Sequence, residues 1–300
     1  MTVEPPDIVP PTTKPATIAA VVVTYNRLAL LQECVAALRA QTRPPDEIVV
    51  VDNGSTDGTA DWLAAQPGLT VVTQANLGSG GGQHTGVRIA YLKGCDWFWC
   101  MDDDTIPEPD ALRALTVVPH FSEPTTGTLS SLVLDTAGRL FGSSWLMPHE
   151  SARWADTILH DRCLEVSVAT FVSLLVRRAA VTAVGLPVKE FFLGVDDWEF
   201  TARIGRRFRN YCVLDSRVIH KAPNRQLPPA EHARTRKYLH GVMNQAAWVR
   251  LQPVGWVRKA TRLAYQFLIL TRLVASGMAP LRALHWFAKG LTMRVRIEFP

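Results

Sequence analysis

Apolar runs rich in β-branched residues alternate with helical segments over the first hundred residues, and this alternation constrains the fold most. Residues 18–23 and 47–51 are runs, apolar apart from Glu47, that are typical of strands buried on both faces. Between them, residues 28–40 place apolar side chains at helical spacing, and Pro44 and Pro45 interrupt the chain. Strands and helices in this order predict an α/β, Rossmann-like fold with a mostly parallel sheet flanked by helices.

A third apolar run, aromatic and centred on residues 97–101, ends abruptly in Asp102, Asp103 and Asp104. The run predicts a buried strand that carries three like charges to its carboxyl end. Because side chains alternate along an extended segment, we expect Asp102 and Asp104 to project together and Asp103 to point away. An Asp-x-Asp pair suits a divalent cation whose coordination is completed by substrate phosphates. The alternative is a solvated acidic turn.

Polar residues also follow the other predicted strands. They stand at residues 24–27, at residues 52–55 and at Asn76, and ligands of such sheets bind beyond the carboxyl ends of the strands. Asp52 could accept an imide N–H, as on uracil or thymine, or it could form an Asx turn or a helix cap. Residues 76–82 predict a glycine-rich loop that opens a helix and aims N–H groups at anions.

Four motifs carry a resemblance to a known family. In chain order they are Val-Val-Val-Thr-Tyr-Asn-Arg, Val-Asp-Asn-Gly-Ser-Thr-Asp-Gly-Thr, Asn-Leu-Gly and Met-Asp-Asp-Asp. Over residues 18–110 their order and spacing resemble family-2 glycosyltransferases of the GT-A fold. The resemblance implies a nucleotide-sugar donor, an inverting transfer, and Mn²⁺ or Mg²⁺ held by Asp102 and Asp104. The donor-binding residues that it implies, with Asp52 holding the base, are Thr24, Tyr25, Asn26, Arg27, Asp52, Asn76, Gly78, Asp102 and Asp103.

The segment at residues 191–203 resembles the acidic base motif of the same family. By that register Asp197 is the general base that deprotonates the acceptor hydroxyl. The local alternative is a helix start, with Asp196 as N-cap and Glu199 closing a capping box. Residues 166–176 form another apolar run, whose inner face could be the floor of an acceptor site. The acceptor-binding residues predicted from these two segments are Thr170, Phe171, Asp196 and Trp198.

A strand predicted at residues 213–219 ends at His220. A lone histidine is more often structural, but in this family a histidine after the last core strand commonly completes the metal site, so His220 is the predicted third ligand. The proline-bearing loop at residues 221–229 is expected to close over the donor. Tyr238 and Asn244 follow in helical register, in a segment that is either part of the site or a solvated basic helix.

Residues 251–300 alternate apolar bulk with single basic residues. Nine basic residues between Arg250 and Pro300 face one acid, Glu298, which favours an anionic surface. The pattern predicts two amphipathic helices separated near residues 277–280 and lying in a membrane interface. The alternative is a helical pair packed on the catalytic domain or a dimer surface. Nucleic acid is a poorer partner because no recognised binding module accompanies the charge.

Five cysteines without Cys-x-x-Cys spacing indicate reduced, buried thiols, and we see neither a signal peptide nor a run long enough to span a membrane. We therefore expect a cytoplasmic enzyme that is peripheral on the inner face of the plasma membrane. The predicted organisation is a disordered proline-rich tail at 1–17, a catalytic domain at 18–250 and a basic helical tail at 251–300. Within the catalytic domain, residues 18–110 bind the nucleotide and residues 111–250 bind the acceptor.

The choice of sugar is the least constrained prediction. The glycine-rich segment, the acidic triplet and the Asp196–Asp197 pair followed by His220 look most like bacterial galactofuranosyltransferases. That resemblance implies UDP-galactofuranose as donor and a polyprenyl-diphosphate-linked glycan as acceptor. The alternatives are a rhamnosyltransferase that uses dTDP-rhamnose and a non-catalytic nucleotide-sugar-binding protein. A dinucleotide-dependent oxidoreductase is disfavoured because no Gly-x-Gly-x-x-Gly follows the first strand.

Overall fold

A computed structural model describes residues 15–141, 147–148, 160–221 and 235–300 of the chain. Most of the predicted disordered tail at residues 1–17 lies outside these ranges. The same is true of the predicted mobile loop at residues 221–229, of which the structure describes Lys221 alone. Both expectations therefore stay predictions.

The first half of the chain forms the parallel part of the sheet, as the apolar runs predict. Its elements are β1 (Ile18–Thr24), α1 (Leu28–Arg39), β2 (Glu47–Asp52), α2 (Thr59–Ala64), β3 (Leu69–Thr73), α3 (Gly78–Leu92) and β4 (Trp97–Asp102). Strand β1 pairs in parallel with both β2 and β4, and β2 pairs in parallel with β3. Their carboxyl ends therefore meet at one edge of the sheet.

The second half adds antiparallel strands to the same sheet. Its elements are β5 (Thr105–Pro107), α4 (Ala111–Val117), α5 (Pro119–Ser122), β6 (Thr126–Leu134), β7 (Met147–Pro148), β8 (Cys163–Val168), β9 (Leu174–Arg177), α6 (Arg178–Val184), α7 (Asp196–Ile204) and β10 (Arg209–His220). The order is β3-β2-β1-β4-β9-β6-β10-β8-β7, with β5 paired to β10. Strand β9 runs antiparallel to β4 and β6, whereas β6 and β10 are parallel. The predicted α/β class is confirmed, with a sheet that is mixed beyond β4.

Helices cover both faces of the sheet, and β4 shows why its sequence is apolar throughout. Trp97, Trp99 and Met101 pack in one core cluster with residues of α1 and α4. Phe98 and Cys100 point the other way, into a second cluster with residues of α3, α6 and α7. Burial on both faces removes the polar–apolar alternation of a half-exposed strand. All five cysteines are buried free thiols, as predicted.

Three helices follow the sheet, namely α8 (Arg236–Leu251), α9 (Trp256–Ala275) and α10 (Arg282–Thr292). They share a hydrophobic cluster, so the two helices predicted after residue 251 pack together with α8. Residues 293–297 then return to the sheet domain and pack beside Val188, Phe191 and Val195. Within the described ranges, no helix is both long enough and apolar enough to cross a membrane.

Candidate functional site

The parallel strands bring three of the predicted polar clusters to one edge. Thr24 at the end of β1 is the register partner of Asp52 at the end of β2. On the other side of β1, Val23 is the partner of Asp102 at the end of β4. Strand pairing therefore sets the positions of Asp52, Thr24 and Asp102 relative to one another before any loop contributes.

A cleft of about 240 Å³ opens at this edge. Seven of the nine predicted donor-binding residues line it, and Asn26 and Asp52 do not. Two apolar residues from the segment before α7, Phe192 and Leu193, form its opposite wall. The lining residues are Val23, Thr24, Tyr25, Arg27, Asn53, Asn76, Gly78, Ser79, Asp102, Asp103, Phe192 and Leu193.

Asp52 is fully buried beneath the cleft, and its two carboxylate oxygens have different surroundings. Oδ1 accepts hydrogen bonds from the backbone N–H of Ser55 at 2.9 Å and from its hydroxyl at 2.6 Å. The turn considered as the local alternative is therefore present. Oδ2 is buried and has no hydrogen-bond partner among the described residues. A buried acceptor of this kind is costly unless a ligand satisfies it.

Asn26 ties two loops together instead of lining the cleft. It has a left-handed backbone with φ +52°, and its Oδ1 accepts the Thr56 N–H at 2.7 Å. Its own N–H donates to Ser55 Oγ at 2.9 Å. Asn26 thus joins the loops after β1 and β2 and fixes the backbone from which Arg27 extends.

The glycines after Asn76 lie in a helix and not in the predicted loop, because α3 begins at Gly78. Added Cβ atoms at Gly78 and Gly80 would overlap the carbonyl oxygens of Phe192 and Phe191, respectively. An added Cβ at Gly82 would overlap the side chain of Val23. The glycines therefore allow α3 to pack directly against β1 and against the backbone of the opposite wall. Close packing is their observed role.

The acidic triplet does not follow the predicted alternation, because β4 ends at Asp102 and the next two residues turn. Asp103 accepts from Thr24 Oγ1 at 2.8 Å and from Arg27 Nη1 at 3.2 Å. Asp104 accepts from the same Arg27 nitrogen at 2.8 Å, and its Oδ1 lies 3.2 Å from His220 Nε2. Asp103 and Asp104 thus share Arg27 as a partner, which the predicted alternation along the strand does not give.

The three carboxyl groups of the triplet differ in their pKa values. Burial, together with the charges of Asp104 and Asp103, raises the pKa of Asp102 to about 8. Burial raises the pKa of Asp103 to about 6, although Thr24 and Arg27 oppose this shift. Burial alone would also raise the pKa of Asp104, but His220 and Arg27 outweigh it and leave that pKa lowered. Asp104 is therefore the most readily ionised member.

The predicted metal ligands are brought together only in part. Asp104 and His220 are neighbours, but no group of three His, Cys, Asp or Glu side chains in the described part of the chain is arranged to hold an ion. Carboxylate oxygens suit Mn²⁺ and Mg²⁺, and Mg²⁺ commonly takes one or two protein carboxylates and completes its shell with water and substrate phosphates. The donor set therefore fits a divalent ion that arrives with a diphosphate.

The other acidic pair stands at the first turn of α7. Val195 occupies the N-cap position with φ +71°, and no side chain caps the helix, since Glu199 instead pairs with Arg203 at 2.9 Å. The capping-box alternative is therefore wrong. Asp197 Oδ1 accepts the N–H of Trp198 at 2.8 Å, which leaves its other oxygen outside that bond.

Electrostatics link this pair to the donor side of the cleft. Burial and the charge of Asp197 raise the pKa of Asp196 to about 8. Burial raises the pKa of Asp197 to about 7, with Asp102 raising it further and Lys237 lowering it. The hydroxyl of Ser79 hydrogen-bonds Asp196 and lies 3.5 Å from Asp102 Oδ1. A carboxylate with a pKa near 7 beside a cleft is suited to accept a proton.

The predicted acceptor floor is more deeply buried than expected. The run at 166–176 is interrupted between β8 and β9, and Phe171 is a core residue beside Phe200. Thr170 is also buried, and neither it nor Trp198 lines the cleft. The residues at the site that were not among the predicted site residues are Asn53, Ser79, Phe192, Leu193 and Lys237. The apolar Phe192–Leu193 pair just before the acidic motif was the available signal for the opposite wall.

Comparison with known proteins identifies the family. The model of glycosyl transferase family 2 matches residues 19–185, which is more than half of the chain. The chain belongs to glycosyltransferase family 2. It is 30% identical over 225 residues to galactofuranosyltransferase GlfT1 of Mycobacterium tuberculosis, covering 70% of this chain and 72% of that protein.

The chain is also similar to a second curated enzyme and to a solved structure. The N-acetylglucosaminyl-diphospho-decaprenol L-rhamnosyltransferase of M. tuberculosis is 26% identical over 275 residues, or 80% of this glycosyltransferase and 89% of the relative. The structure of mannosyltransferase PcManGT from Pyrobaculum calidifontis, in complex with GDP-Man and Mn²⁺, superposes with a TM-score of 0.56 at 18% identity. The match covers 96% of this chain and 87% of that one. The predicted GT-A fold is therefore confirmed, and so is the prediction of a glycosyltransferase.

Proposed function

We propose that this glycosyltransferase moves galactofuranose from UDP-galactofuranose to a polyprenyl-diphosphate-linked glycan, with inversion at the anomeric carbon. The observation that carries the proposal is the 30% identity to GlfT1 across more than two thirds of both chains. The second candidate is rhamnosyl transfer from dTDP-rhamnose, which the 26% identical rhamnosyltransferase supports. Asp52 does not separate the two, because uracil and thymine offer the same imide N–H to its buried Oδ2.

The two acidic clusters suggest a division of roles. Asp102, Asp104 and His220 would hold Mn²⁺ or Mg²⁺, which when bound neutralises the charge of the donor diphosphate. Asp197 accepts the proton of the acceptor hydroxyl as its oxygen bonds to the anomeric carbon. The bond from that carbon to the diphosphate oxygen breaks on the opposite face, and the nucleoside diphosphate leaves. One displacement of this kind inverts the configuration.

The donor is tested by incubating the purified enzyme with Mn²⁺, membrane lipids that carry the lipid-linked acceptor, and one nucleotide sugar at a time. A parallel reaction supplies N-acetylglucosaminyl-diphospho-decaprenol with dTDP-rhamnose. Radiolabel in the lipid fraction is expected with UDP-galactofuranose. Incorporation from dTDP-rhamnose alone would replace the first candidate by the second.

The base is tested separately with Asp197→Asn, which keeps the shape of the side chain but cannot take a proton at neutral pH. We expect transfer to fall by about 10²–10⁴-fold, the usual contribution of a general base. Binding of UDP in the presence of Mn²⁺, measured by calorimetry, should stay near that of the unmodified enzyme. If Asp197→Asn retains most of its activity, another group is the base.

A lipid-linked acceptor calls for contact with a membrane, and the outer face of α9 has the required composition. Trp256 and Tyr265 are 80% and 64% exposed, and Phe267 and Leu268 are exposed beside them. Arg258, Arg262 and Arg272 are also exposed along the same helix. Exposed aromatic residues interleaved with arginines favour an interface that carries anionic lipids. We propose that this face rests on the cytoplasmic leaflet of the plasma membrane.

Vesicle flotation tests this part of the proposal independently of activity. The enzyme should float with vesicles that contain 30 mol% phosphatidylglycerol, a composition taken as roughly that of an anionic leaflet, and less with pure phosphatidylcholine. The triple variant Arg258→Gln, Arg262→Gln and Arg272→Gln should float poorly on the anionic vesicles. Equal flotation of the variant and the unmodified enzyme would contradict the assignment of this face.

A further inference from the structure

Arg27 is the residue that joins the two buried members of the acidic triplet. One nitrogen, Nη1, lies 2.8 Å from Asp104 Oδ2 and 3.2 Å from Asp103 Oδ1. The side chains of Asp103 and Asp104 are only 4% and 6% exposed. Two buried carboxylates this close together are unfavourable without a cation, and the guanidinium supplies one.

The oxygens of Asp104 are already engaged before any ligand binds. Oδ2 accepts from Arg27, and Oδ1 lies 3.2 Å from His220. A divalent ion that binds this carboxylate therefore competes with Arg27 for the same negative charge. The guanidinium of Arg27 thus supplies positive charge beside Asp104 that a bound metal ion would otherwise supply.

The side chain of Arg27 is also positioned so that it can move away from Asp103 and Asp104. Its side chain is 47% exposed at the rim of the cleft, in contrast to its two buried partners. Its backbone is held on both sides, because Asn26 bonds to Thr56 and the N–H of Leu28 donates to Asp57 Oδ2 at 3.0 Å. A long side chain on a fixed backbone can turn from the acids into the cleft without moving the loop. A guanidinium released there would face the anionic part of a nucleotide.

We propose that Arg27 is an internal counter-ion that occupies Asp104 in the metal-free enzyme, yields this carboxylate to a divalent ion and then binds the donor diphosphate. The proposal rests on the metal use put forward above. It has an unusual consequence, since one residue opposes metal binding and supports nucleotide binding. A residue that merely held the triplet in shape would support both.

Metal binding in the absence of nucleotide tests whether Arg27 competes with a divalent ion for Asp104. Free Mn²⁺ is measured by electron paramagnetic resonance during titration of the protein with Mn²⁺ alone. Arg27→Gln should bind Mn²⁺ roughly tenfold more tightly than the unmodified enzyme, because one partly screened positive charge has been removed beside the site. Arg27→Lys keeps that charge and should stay close to the unmodified enzyme. Arg113→Gln, which breaks the exposed pair with Asp110, is the matched control and should change nothing.

UDP binding at saturating Mn²⁺ tests whether Arg27 binds the diphosphate. In this measurement Arg27→Gln should bind UDP roughly tenfold more weakly than the unmodified enzyme. Circular dichroism melts verify that all three variants fold. Mn²⁺ binding by Arg27→Gln that is equal to or weaker than that of the unmodified enzyme would overturn the counter-ion, while leaving metal use intact. If no protein binds Mn²⁺ even with UDP present, the metal part of the proposed function fails together with this inference.

Discussion

The contact between α3 and the opposite wall of the cleft makes a sharp prediction for Gly80→Ala. An added Cβ would overlap the carbonyl oxygen of Phe191 and would also lie 3.1 Å from the carbonyl oxygen of Val188. Both obstacles are backbone atoms, so no side-chain rotation relieves the clash. Inserting a methyl group into packed structure costs about 1–3 kcal/mol, and the rigid neighbours favour the upper end of that range.

Gly241→Ala in α8 is the matched control, because nothing lies within 4 Å of its added Cβ. Replacing glycine by alanine inside a helix gains about 0.8–1 kcal/mol at either position. We therefore expect Gly241→Ala to stabilise the enzyme by about 1 kcal/mol and Gly80→Ala to lie about 3 kcal/mol below it. The difference between the two variants isolates the packing cost.

Urea unfolding at equilibrium, followed by tryptophan fluorescence, measures both variants against the unmodified enzyme. Gly80→Ala should also bind UDP more weakly, because its neighbours Gly78 and Ser79 line the cleft. If the two variants agree in their free energies of unfolding to within about 0.5 kcal/mol, the close approach of α3 to residues 188–192 is not present in solution.

Three further predictions concern buried acids. The folded enzyme holds the proton of Asp102 up to about pH 8, whereas an unfolded chain releases it near pH 4. The free energy of unfolding of the metal-free enzyme should therefore fall as the pH rises between these values, and Asp102→Asn should flatten that slope in urea titrations; a slope unchanged by the variant would count against the shift. Glu199→Gln removes the charge partner of buried Arg203 and should lower the free energy of unfolding by about 3–5 kcal/mol. In the same assay, Asp215→Asn, which breaks the exposed pair with Arg162, should lower it by about 1 kcal/mol or less. Equal losses for the two variants would contradict the argument from burial. Asp52→Asn should weaken UDP and dTDP binding alike by about 10–100-fold in calorimetry, and unaltered binding would remove Asp52 from the base site.

Local sequence patterns were sufficient to predict the parallel half of the fold. The runs that became β1, β2 and β4 are apolar except at their ends because both of their faces are buried, and this signal lies within each segment. The antiparallel insertion of β9 between β4 and β6 depends on pairing between residues far apart in the chain. No periodicity in residues 166–176 indicates this pairing, so the interruption between β8 and β9 was not predicted.

Within the site, the errors have the same origin. Alternation along a strand predicts side-chain directions only while the strand continues. Because β4 ends at Asp102, alternation does not predict the directions of Asp103 and Asp104. The packing role of the α3 glycines was missed because the sequence does not show that Phe191 and Phe192 pack against them. Strand ends could be predicted from sequence, whereas contacts between the two halves could not.

The return of residues 293–298 to the sheet domain has a consequence for biosynthesis. Glu298 accepts the N–H of Leu186 at 2.7 Å and pairs with Lys189, from which 109 residues separate it. At about 5–20 residues per second, a ribosome needs roughly 5–20 s to supply this partner after Lys189 has been made. During that interval the strands that carry Asp52 and Asp102 are already available for pairing, while the wall that carries Phe192 lacks its packing partner. The two walls of the cleft would thus be completed at different times on the ribosome.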